Sequence, residues 1–371
     1  MPHELRKRAG AMVPRKLSCR TLIGLVALAM LVWTQAAETI RVPIKKDGAG
    51  PLFQIHRGEK WGYIDRTGRT AISAQFDDEG DFFQGLAKAR KGWWGYIDEK
   101  GRQTVPFRFE NAGDFQEGLA PVKAYRGWGF IDRSGKFVIE PRFGAAAEFH
   151  EACARVEVWD VDSRKTRYGF VNKHGDVTLP PGLAVDGDFS GGLAPASVGH
   201  ASERKLGYID RTGKIVIEPR FLQAYSFSEG LAAVLVGPSS KAGKDTPGGW
   251  GFIDRHGRFV VPPTFAEARS FKEGLAAVLL PAGDWGYIDK RGVLVIAAEY
   301  NQAEAFSGGL ALVASDQEED PYYIDSKGRK ALLPGPVALW PFSDGLTIIE
   351  HEGEMQYIDR SGKVIAPYQT K

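Results

Sequence analysis

One short phrase recurs nine times along this chain, and it limits the fold more than any other feature. Each copy is close to Trp-Gly-Tyr-Ile-Asp and is followed by two variable residues and a glycine. The closing glycines are spaced by 33 to 44 residues and stand at Gly68, Gly101, Gly135, Gly175, Gly213, Gly257, Gly292, Gly328 and Gly362. Because a repeat of this period marks a tandem array, the chain is expected to stack nine copies of one unit.

Three short strands are predicted in each unit, and the sixth unit shows them most clearly. Residues 231–236 form strand one, residues 250–254 strand two and residues 258–261 strand three, which Pro262 and Pro263 are expected to end. A linker with the pattern Phe-x-(Glu/Gly)-Gly-Leu-Ala leads into strand one of five units, and two more units have near copies. This linker is too short to predict a fourth strand.

A turn with a defined chemistry joins strands two and three. Aspartate at its first position accepts a hydrogen bond from the backbone two residues later, and glycine at its fourth adopts the left-handed conformation of a bulged hairpin. Eight units carry this pair, at Asp65 and Gly68, Asp98 and Gly101, Asp132 and Gly135, Asp210 and Gly213, Asp254 and Gly257, Asp289 and Gly292, Asp325 and Gly328, and Asp359 and Gly362. The fourth unit has Asn172 with Gly175. Since an amide makes the turn but does no acid–base chemistry, a structural role is predicted for the whole set.

Most aromatic side chains follow the repeat, which indicates a role in the core. Trp61 and Tyr63 alternate with Gly62, so both rings share one strand face and the glycine leaves room for a neighbouring chain. Such a ladder is more often the core between repeats than a platform for sugars. Three rings lie off the pattern and are predicted as partner contacts: Trp93, Trp159 and Trp340.

Long insertions all fall between strands one and two, at residues 159–165, 198–204, 237–249 and 315–320. Corresponding loops of stacked repeats line one edge, so the insertions predict a variable rim of the kind on which binding usually occurs. Surface insertions without a role are the alternative, which is favoured for the Gly/Ser/Lys-rich residues 237–249. Beside Trp159 the predicted contacts are Asp160, Asp162, Arg164 and Lys165.

The first 37 residues have the pattern of a secretory signal peptide. Six basic residues precede an apolar run at residues 22–33, and small residues follow at Ala36 and Ala37. The run is shorter than the roughly 20 residues that span a bilayer, so a cleaved leader is favoured over a membrane anchor. Residues 38–51 are then a linker, residues 52–371 are the repeat array, and the protein is expected to be periplasmic or secreted.

Removal of the leader changes the charge of the chain. The whole chain has a formal charge of +2, whereas residues 38–371 contain 42 basic and 45 acidic residues, a charge of −3. A nearly neutral chain is not expected to bind nucleic acid, because such binding needs a clustered basic surface.

Only Cys153 survives cleavage, so an internal disulfide is impossible. It stands where most units have leucine and is predicted to fill the core.

Motifs for catalysis and for cofactors are not found. The remaining histidines lack the His-x-x-x-His or Glu-x-x-His spacing of metal ligands, and no nucleophile elbow, phosphate loop or dinucleotide fingerprint occurs. The chain is therefore predicted to be non-enzymatic, with no cofactor and no bound metal.

The recurring phrase resembles the repeat of the bacterial WG-repeat proteins, which are named for the Trp-Gly pair before Tyr-Ile-Asp. The likeness covers about residues 52–368, with departures at Tyr168-Gly169 and Pro321-Tyr322, where Trp-Gly is expected. The resemblance implies an all-β tandem array in exported or surface proteins that serves as a binding module, and it brings no catalytic residues.

The predicted fold is an open, twisted β-solenoid of nine three-stranded units. A closed, propeller-like ring is the alternative if the linkers pair as short fourth strands. The predicted function is an exported scaffold that binds another protein in the cell envelope. The alternative is a cell-wall or polysaccharide-binding module that uses the rings of Trp93, Trp159 and Trp340. Neither nucleic acid nor a membrane span after cleavage is expected.

Overall fold

In a computed structural model, the chain folds into β-strands joined by turns and loops. The structure describes residues 50–161, 164–199, 203–241, 244–246, 248–318, 320–332, 337–338, 340–351 and 354–370. The predicted signal peptide, and all but the last two residues of the predicted linker, lie outside these ranges. Within the ranges, no helix is long and apolar enough to cross a membrane.

The described strands are numbered here in chain order. The first nineteen are β1 (Phe53–Arg57), β2 (Lys60–Ile64), β3 (Thr70–Phe76), β4 (Asp78–Glu79), β5 (Leu86–Lys91), β6 (Trp93–Asp98), β7 (Gln103–Phe109), β8 (Asn111–Ala112), β9 (Ala120–Ala124), β10 (Gly127–Ile131), β11 (Phe137–Phe143), β12 (Ala146–His150), β13 (Cys153–Asp160), β14 (Lys165–Asn172), β15 (Val177–Thr178), β16 (Ala184–Val185), β17 (Ala194–Val198), β18 (Lys205–Ile209) and β19 (Ile215–Phe221). The others are β20 (Gln223–Ala224), β21 (Ala232–Val236), β22 (Ser239–Lys241), β23 (Lys244–Thr246), β24 (Gly249–Ile253), β25 (Phe259–Phe265), β26 (Glu267–Ala268), β27 (Ala276–Leu279), β28 (Trp285–Ile288), β29 (Leu294–Tyr300), β30 (Gln302–Ala303), β31 (Leu310–Ala314), β32 (Tyr322–Asp325), β33 (Lys330–Leu332), β34 (Val337–Ala338), β35 (Leu346–His351), β36 (Glu354–Asp359), β37 (Val364–Pro367) and β38 (Gln369–Thr370).

These strands form nine four-stranded sheets, called blades 1 to 9 below. Blade 1 contains β38 and β1–β3, and blades 2 to 5 contain β4–β7, β8–β11, β12–β15 and β16–β19. Blade 6 contains β20, β21, β24 and β25, and blades 7 to 9 contain β26–β29, β30–β33 and β34–β37. In each blade the strand positions are named A to D in the order given. The pair β22 and β23 is a separate hairpin inserted between positions B and C of blade 6.

The all-β prediction is confirmed, but the predicted open solenoid is wrong, because the nine blades close into a propeller ring. Each hydrophobic cluster of the described residues lies between two successive blades. One cluster joins blade 9 to blade 1 through Tyr357, Phe53 and Ile55. At this junction β38 pairs in parallel with β1, and the Tyr357 hydroxyl donates a 2.9 Å hydrogen bond to the carbonyl oxygen of Gln54.

A fourth strand in each unit explains why the array closes. The linkers, which were expected to remain unpaired, form position A, with only two residues in every blade except blade 4. A tight turn then leads to position B. In blade 3, Glu117 and Gly118 have φ of 51° and 87°, and positive φ at both residues is what a type I′ turn requires. Each unit is therefore a four-stranded propeller blade, and the two faces of its sheet pack against the blades before and after it.

Position D is the outer edge of each blade, and prolines do not end the strands there. Contrary to the prediction, β25 continues through Pro262 and Pro263 to Phe265. An edge strand tolerates residues that cannot donate a hydrogen bond, because one of its sides faces solvent. Exposed apolar side chains on these strands agree with an outer position: Val138, Val216, Phe259, Val260, Leu294, Val295 and Val364.

The antiparallel strand order places the connections on two opposite faces of the ring. The A–B and C–D turns lie on one face, and the B–C hairpins lie on the other. On the first face the turns fasten neighbouring blades together. Arg133 Nη1 of blade 3 donates a 2.7 Å hydrogen bond to the Gln84 carbonyl of blade 2, and Glu117 of blade 3 accepts one of 3.0 Å from the Ala152 N–H of blade 4.

Candidate interaction surface

Three consecutive blades carry an exposed aromatic side chain at the tip of the B–C hairpin. They are Trp93 in blade 2, Tyr125 in blade 3 and Trp159 in blade 4, which are 54%, 82% and 64% exposed. By contrast, Trp250 and Trp285 of the repeated phrase are only 5% and 6% exposed. Because sheets pack about 10 Å apart, the three tips form a row with a spacing of that order.

In blade 2 the hairpin turns at a single glycine. Lys91 of β5 lies opposite Trp93 of β6, and Gly92 between them has φ of 71°. The Gly92 N–H donates a 2.7 Å hydrogen bond to Asp77 Oδ2, while Lys60 of the blade 1 hairpin donates to Asp77 Oδ1. The Lys60 bond and the Gly92 bond lower the pKa of Asp77. An ionised Asp77 therefore ties the tip of blade 2 to its neighbour.

In blade 3 the hairpin has a loop of two residues. Tyr125 and Arg126 form the loop, and Ala124 pairs with Gly127 at its base. The guanidinium carbon of Arg126 lies 5.3 Å from the centroid of the Tyr125 ring, within the range of a cation–π contact. The tip thus presents a ring and a positive charge together.

Blade 4 has a long hairpin, with eight residues in each of β13 and β14. Asp160, near its tip, is buried, and its Oδ2 accepts a 2.7 Å hydrogen bond from Arg167 Nη1. Because the Asp160 carboxylate is buried in this ion pair within the hairpin, it is not exposed to a partner, contrary to the prediction. Arg164 and Lys165 are exposed in the same hairpin, where Lys165 lies opposite Asp160. Asp162, also predicted as a contact, lies outside the described residues.

Each of the three tips carries a cation that no described carboxylate neutralises, although Lys91 Nζ donates a 2.8 Å hydrogen bond to Gln75 Oε1 of blade 1. In the described part of the chain, Lys91, Arg126 and Lys165 have no carboxylate within ion-pair distance. Nearby carboxylates are already paired elsewhere, as Asp78 is with Arg90 at 3.4 Å. The row therefore combines three exposed rings with three positive charges that the described carboxylates do not neutralise.

The structure brings some of the predicted residues together and separates others. Trp93 and Trp159 lie at equivalent tips, on the same face as the long insertions of blades 4, 5, 6 and 8. Trp340 is 36% exposed and lies beside position A of blade 9, where its carbonyl accepts a 2.7 Å hydrogen bond from the Tyr323 hydroxyl. Tyr125 was missed, although it too is an aromatic residue off the repeat in a loop between strands one and two.

The turn aspartates lie on the opposite face and bond within their own turns. Asp65 Oδ1 accepts hydrogen bonds from the N–H groups of Thr67 (2.8 Å) and Arg69 (3.1 Å). The same two bonds recur in the other eight turns, including the one that begins with Asn172. The bond from the Thr67 hydroxyl, with those from the two N–H groups, lowers the pKa of Asp65.

The same face has an open cleft of about 650 Å³ between blades 4, 5 and 6, lined by Glu151, Gly191, Gly192, Asp210, Arg211, Thr212 and Arg255. The Glu151 carboxylate accepts bonds from the Gly191 N–H (2.6 Å), the Gly192 N–H (2.7 Å) and Arg211 (3.1 Å), so it fastens blade 4 to blade 5. Among the described residues, no three His, Cys, Asp or Glu side chains are grouped to hold a metal ion. Burial raises the pKa of the Cys153 thiol, which makes it a poor nucleophile.

A family model described as "WG containing repeat" matches six segments of the chain, which together make up more than half of its length. The segments are residues 61–92, 94–124, 128–158, 207–237, 250–280 and 285–317. No curated protein matches the chain.

Among solved structures, the chain is similar to propeller-containing and other proteins at low identity. A eukaryotic initiation factor is 12% identical with a TM-score of 0.48, over 80% of this chain and 91% of that chain. BamB from Moraxella catarrhalis is 13% identical with a TM-score of 0.35, over 73% and 96%. The β-propeller domain of the Trilobed protease from Pyrococcus furiosus is 12% identical with a TM-score of 0.34, over 76% and 97%. Likenesses this distant say nothing about function.

Proposed function

The chain belongs to the WG-repeat family, and from this premise we propose that it is a non-enzymatic scaffold that binds another protein through the B–C tips of blades 2 to 4. The row of Trp93, Tyr125 and Trp159 carries the proposal, because these rings are more than half exposed, whereas the tryptophans of the repeated phrase are buried or half-buried. Trp, Tyr and Arg are the residues enriched in the energetic hot spots of protein interfaces. All three types occur along this row.

A protein partner is favoured over a glycan by the surroundings of Trp159. Val161, in the same loop, is 75% exposed. An aliphatic side chain offers no flat face for a sugar ring, but it adds apolar area to a protein interface. Polysaccharide binding is the second candidate, since three exposed rings in a row are also suited to stacking on sugars.

Replacement of all three rings by alanine is expected to abolish partner capture. The test is crosslinked capture from an envelope extract with residues 38–371, comparing the wild type with the W93A/Y125A/W159A variant. Loss of hot-spot rings costs about 2 kcal/mol or more each, so the captured partner should fall by at least tenfold. The circular dichroism spectrum should not change, because the rings are not in the core.

Trp340→Ala is the matched control, because Trp340 is exposed but is not part of the row. It should capture the partner as the wild type does. Equal capture by the triple variant would contradict the proposal. Depletion of the protein by insoluble cell-wall glycan, with no protein partner retained, would favour the second candidate.

We further propose that the protein is exported and acts in the periplasm or outside the cell. The basic residues, the apolar run and Ala36-Ala37 at the start of the chain support this proposal. Protein from the envelope fraction is expected to begin at Ala37 or Glu38, which N-terminal sequencing would reveal. A double substitution, Leu25→Arg with Leu28→Arg, should block export. An unprocessed chain in the cytoplasm of wild-type cells would show that the export proposal is wrong.

A further inference from the structure

We infer that the partner presents an acidic, extended peptide segment to the tips of blades 2 to 4. The inference rests on the proposed function and names the chemistry that this surface would recognise. The structural basis is that each tip carries one exposed ring and one cation that no described carboxylate neutralises. Lys91 lies opposite Trp93, and Arg126 lies over the ring of Tyr125. In blade 4, Lys165 is in the same hairpin as Trp159 and lies opposite its neighbour Asp160.

The spacing of these pairs fits an extended chain. Successive tips are separated by about 10 Å, the distance between packed sheets. An extended chain advances about 3.3 Å per residue, so about three residues bridge one tip and the next. A segment of about nine residues, with an acidic and an apolar side chain in every three, would therefore place one carboxylate at each cation and one apolar group at each ring.

Two other hairpins of the B–C face carry exposed charge of the opposite sign. In the hairpins of blades 8 and 9, Asp316, Asp320 and Glu354 are exposed, and none of them has a basic partner among the described residues. An acidic segment is repelled there and attracted at blades 2 to 4. Complementary charge of this kind selects the docking position and excludes the wrong one.

The first test uses a defined probe. A fluorescein-labelled nonapeptide of three Glu-Leu-Ser repeats is titrated with residues 38–371, beside the same peptide with Gln in place of Glu. The acidic peptide should bind at least about threefold more tightly at 50 mM salt, because three ion pairs each contribute about 0.2–1 kcal/mol. The difference should shrink at 500 mM salt, where surface charges are screened. Equal affinity of the two peptides at low salt would overturn the inference.

The second test reverses the charges of the row. The K91E/R126E/K165E variant should lose the preference for the acidic peptide. The matched control, K136E/K214E/K363E, changes the net charge equally, but its residues are exposed beside C–D turns on the opposite face. The control should retain the preference. Loss of preference in both variants would mean that only net charge matters, which would overturn the inference.

Capture of the natural partner separates this inference from the proposed function. If the aromatic triple variant loses the partner while K91E/R126E/K165E keeps it, the scaffold proposal stands and the inference of an acidic segment is wrong. If both variants keep the partner, the proposed function itself is wrong. Tight binding of soluble polygalacturonate without binding of the acidic peptide would overturn the inference in favour of an anionic glycan. Loss of the partner in both variants is the expected result.

Discussion

Deletion of residues 364–371 is expected to lower the free energy of unfolding by about 5 kcal/mol, because it removes the two strands that close the ring. β37 is position D of blade 9, and β38 is position A of blade 1. Ile365, Ala366 and Tyr368 pack in the cluster that joins these blades. A buried apolar side chain contributes about 1.5–3 kcal/mol, and the deletion also uncovers Phe53 and Ile55 on the facing blade.

Urea unfolding of residues 38–363 against residues 38–371 would measure this loss. Deletion of residues 369–371 alone is the control, since it removes β38 and leaves the packed side chains in place. Its expected cost is about 1 kcal/mol, the contribution of one or two backbone hydrogen bonds. Hydrogen exchange should show the loss of protection in blades 1 and 9 first. An unchanged urea midpoint for the long deletion would mean that the junction between blades 9 and 1 does not stabilise the ring.

The local chemistry of each unit could be predicted from the sequence, because it depends on a few neighbouring residues. The Asp-x-x-Gly spacing alone predicts the turn between positions C and D, and Asp65 and Gly68 form such a turn. The same spacing with Asn172 makes the same bonds. The bonds of this turn lie within five consecutive residues.

The fourth strand could not be predicted, because it is too short to have a pattern. Two residues such as Asp78 and Glu79 cannot show an alternation of buried and exposed side chains. The turn between positions A and B could not be predicted either, because type I′ turns usually have Asn, Asp or Gly where blade 3 has Glu117. Bonds from Ala152 and Lys173 of blade 4 hold Glu117 in this position. Its conformation therefore depends on a neighbouring blade that the local sequence does not reveal.

The candidate surface was predicted in part. Rings off the repeat are candidates for exposure, and this rule found Trp93 and Trp159. The rule also selected Trp340, but a position off the repeat does not tell whether a side chain lies at a hairpin tip or beside position A. The burial of Asp160 could not be predicted either. Its contact with Arg167 depends on the register of a hairpin of two eight-residue strands.

Gly129→Ala is expected to destabilise the protein by about 3 kcal/mol or more, although it adds a single methyl group. A Cβ atom at Gly129 would lie 2.6 Å from the carbonyl oxygen of Ile139 and 2.7 Å from the nitrogen of Pro141. Both contacts are with the backbone of β11, which bulges over β10 at this point. Because no side chain can rotate away, the strand itself must move, and overpacking of this kind costs about 1–3 kcal/mol or more.

Gly118→Ala in the same blade separates the effect of space from that of backbone conformation. Gly118 has φ of 87°, but no atom lies within 4 Å of its added Cβ, so only the strain of the left-handed conformation is expected, about 1–2 kcal/mol. Urea midpoints of the two variants measure the difference. Equal losses would show that close approach is not the reason for glycine at position 129. Since Gly62, Gly95, Gly251 and Gly286 face the bulged D strand in the same way, a larger loss at Gly129 would explain why glycine follows tryptophan in the repeated phrase.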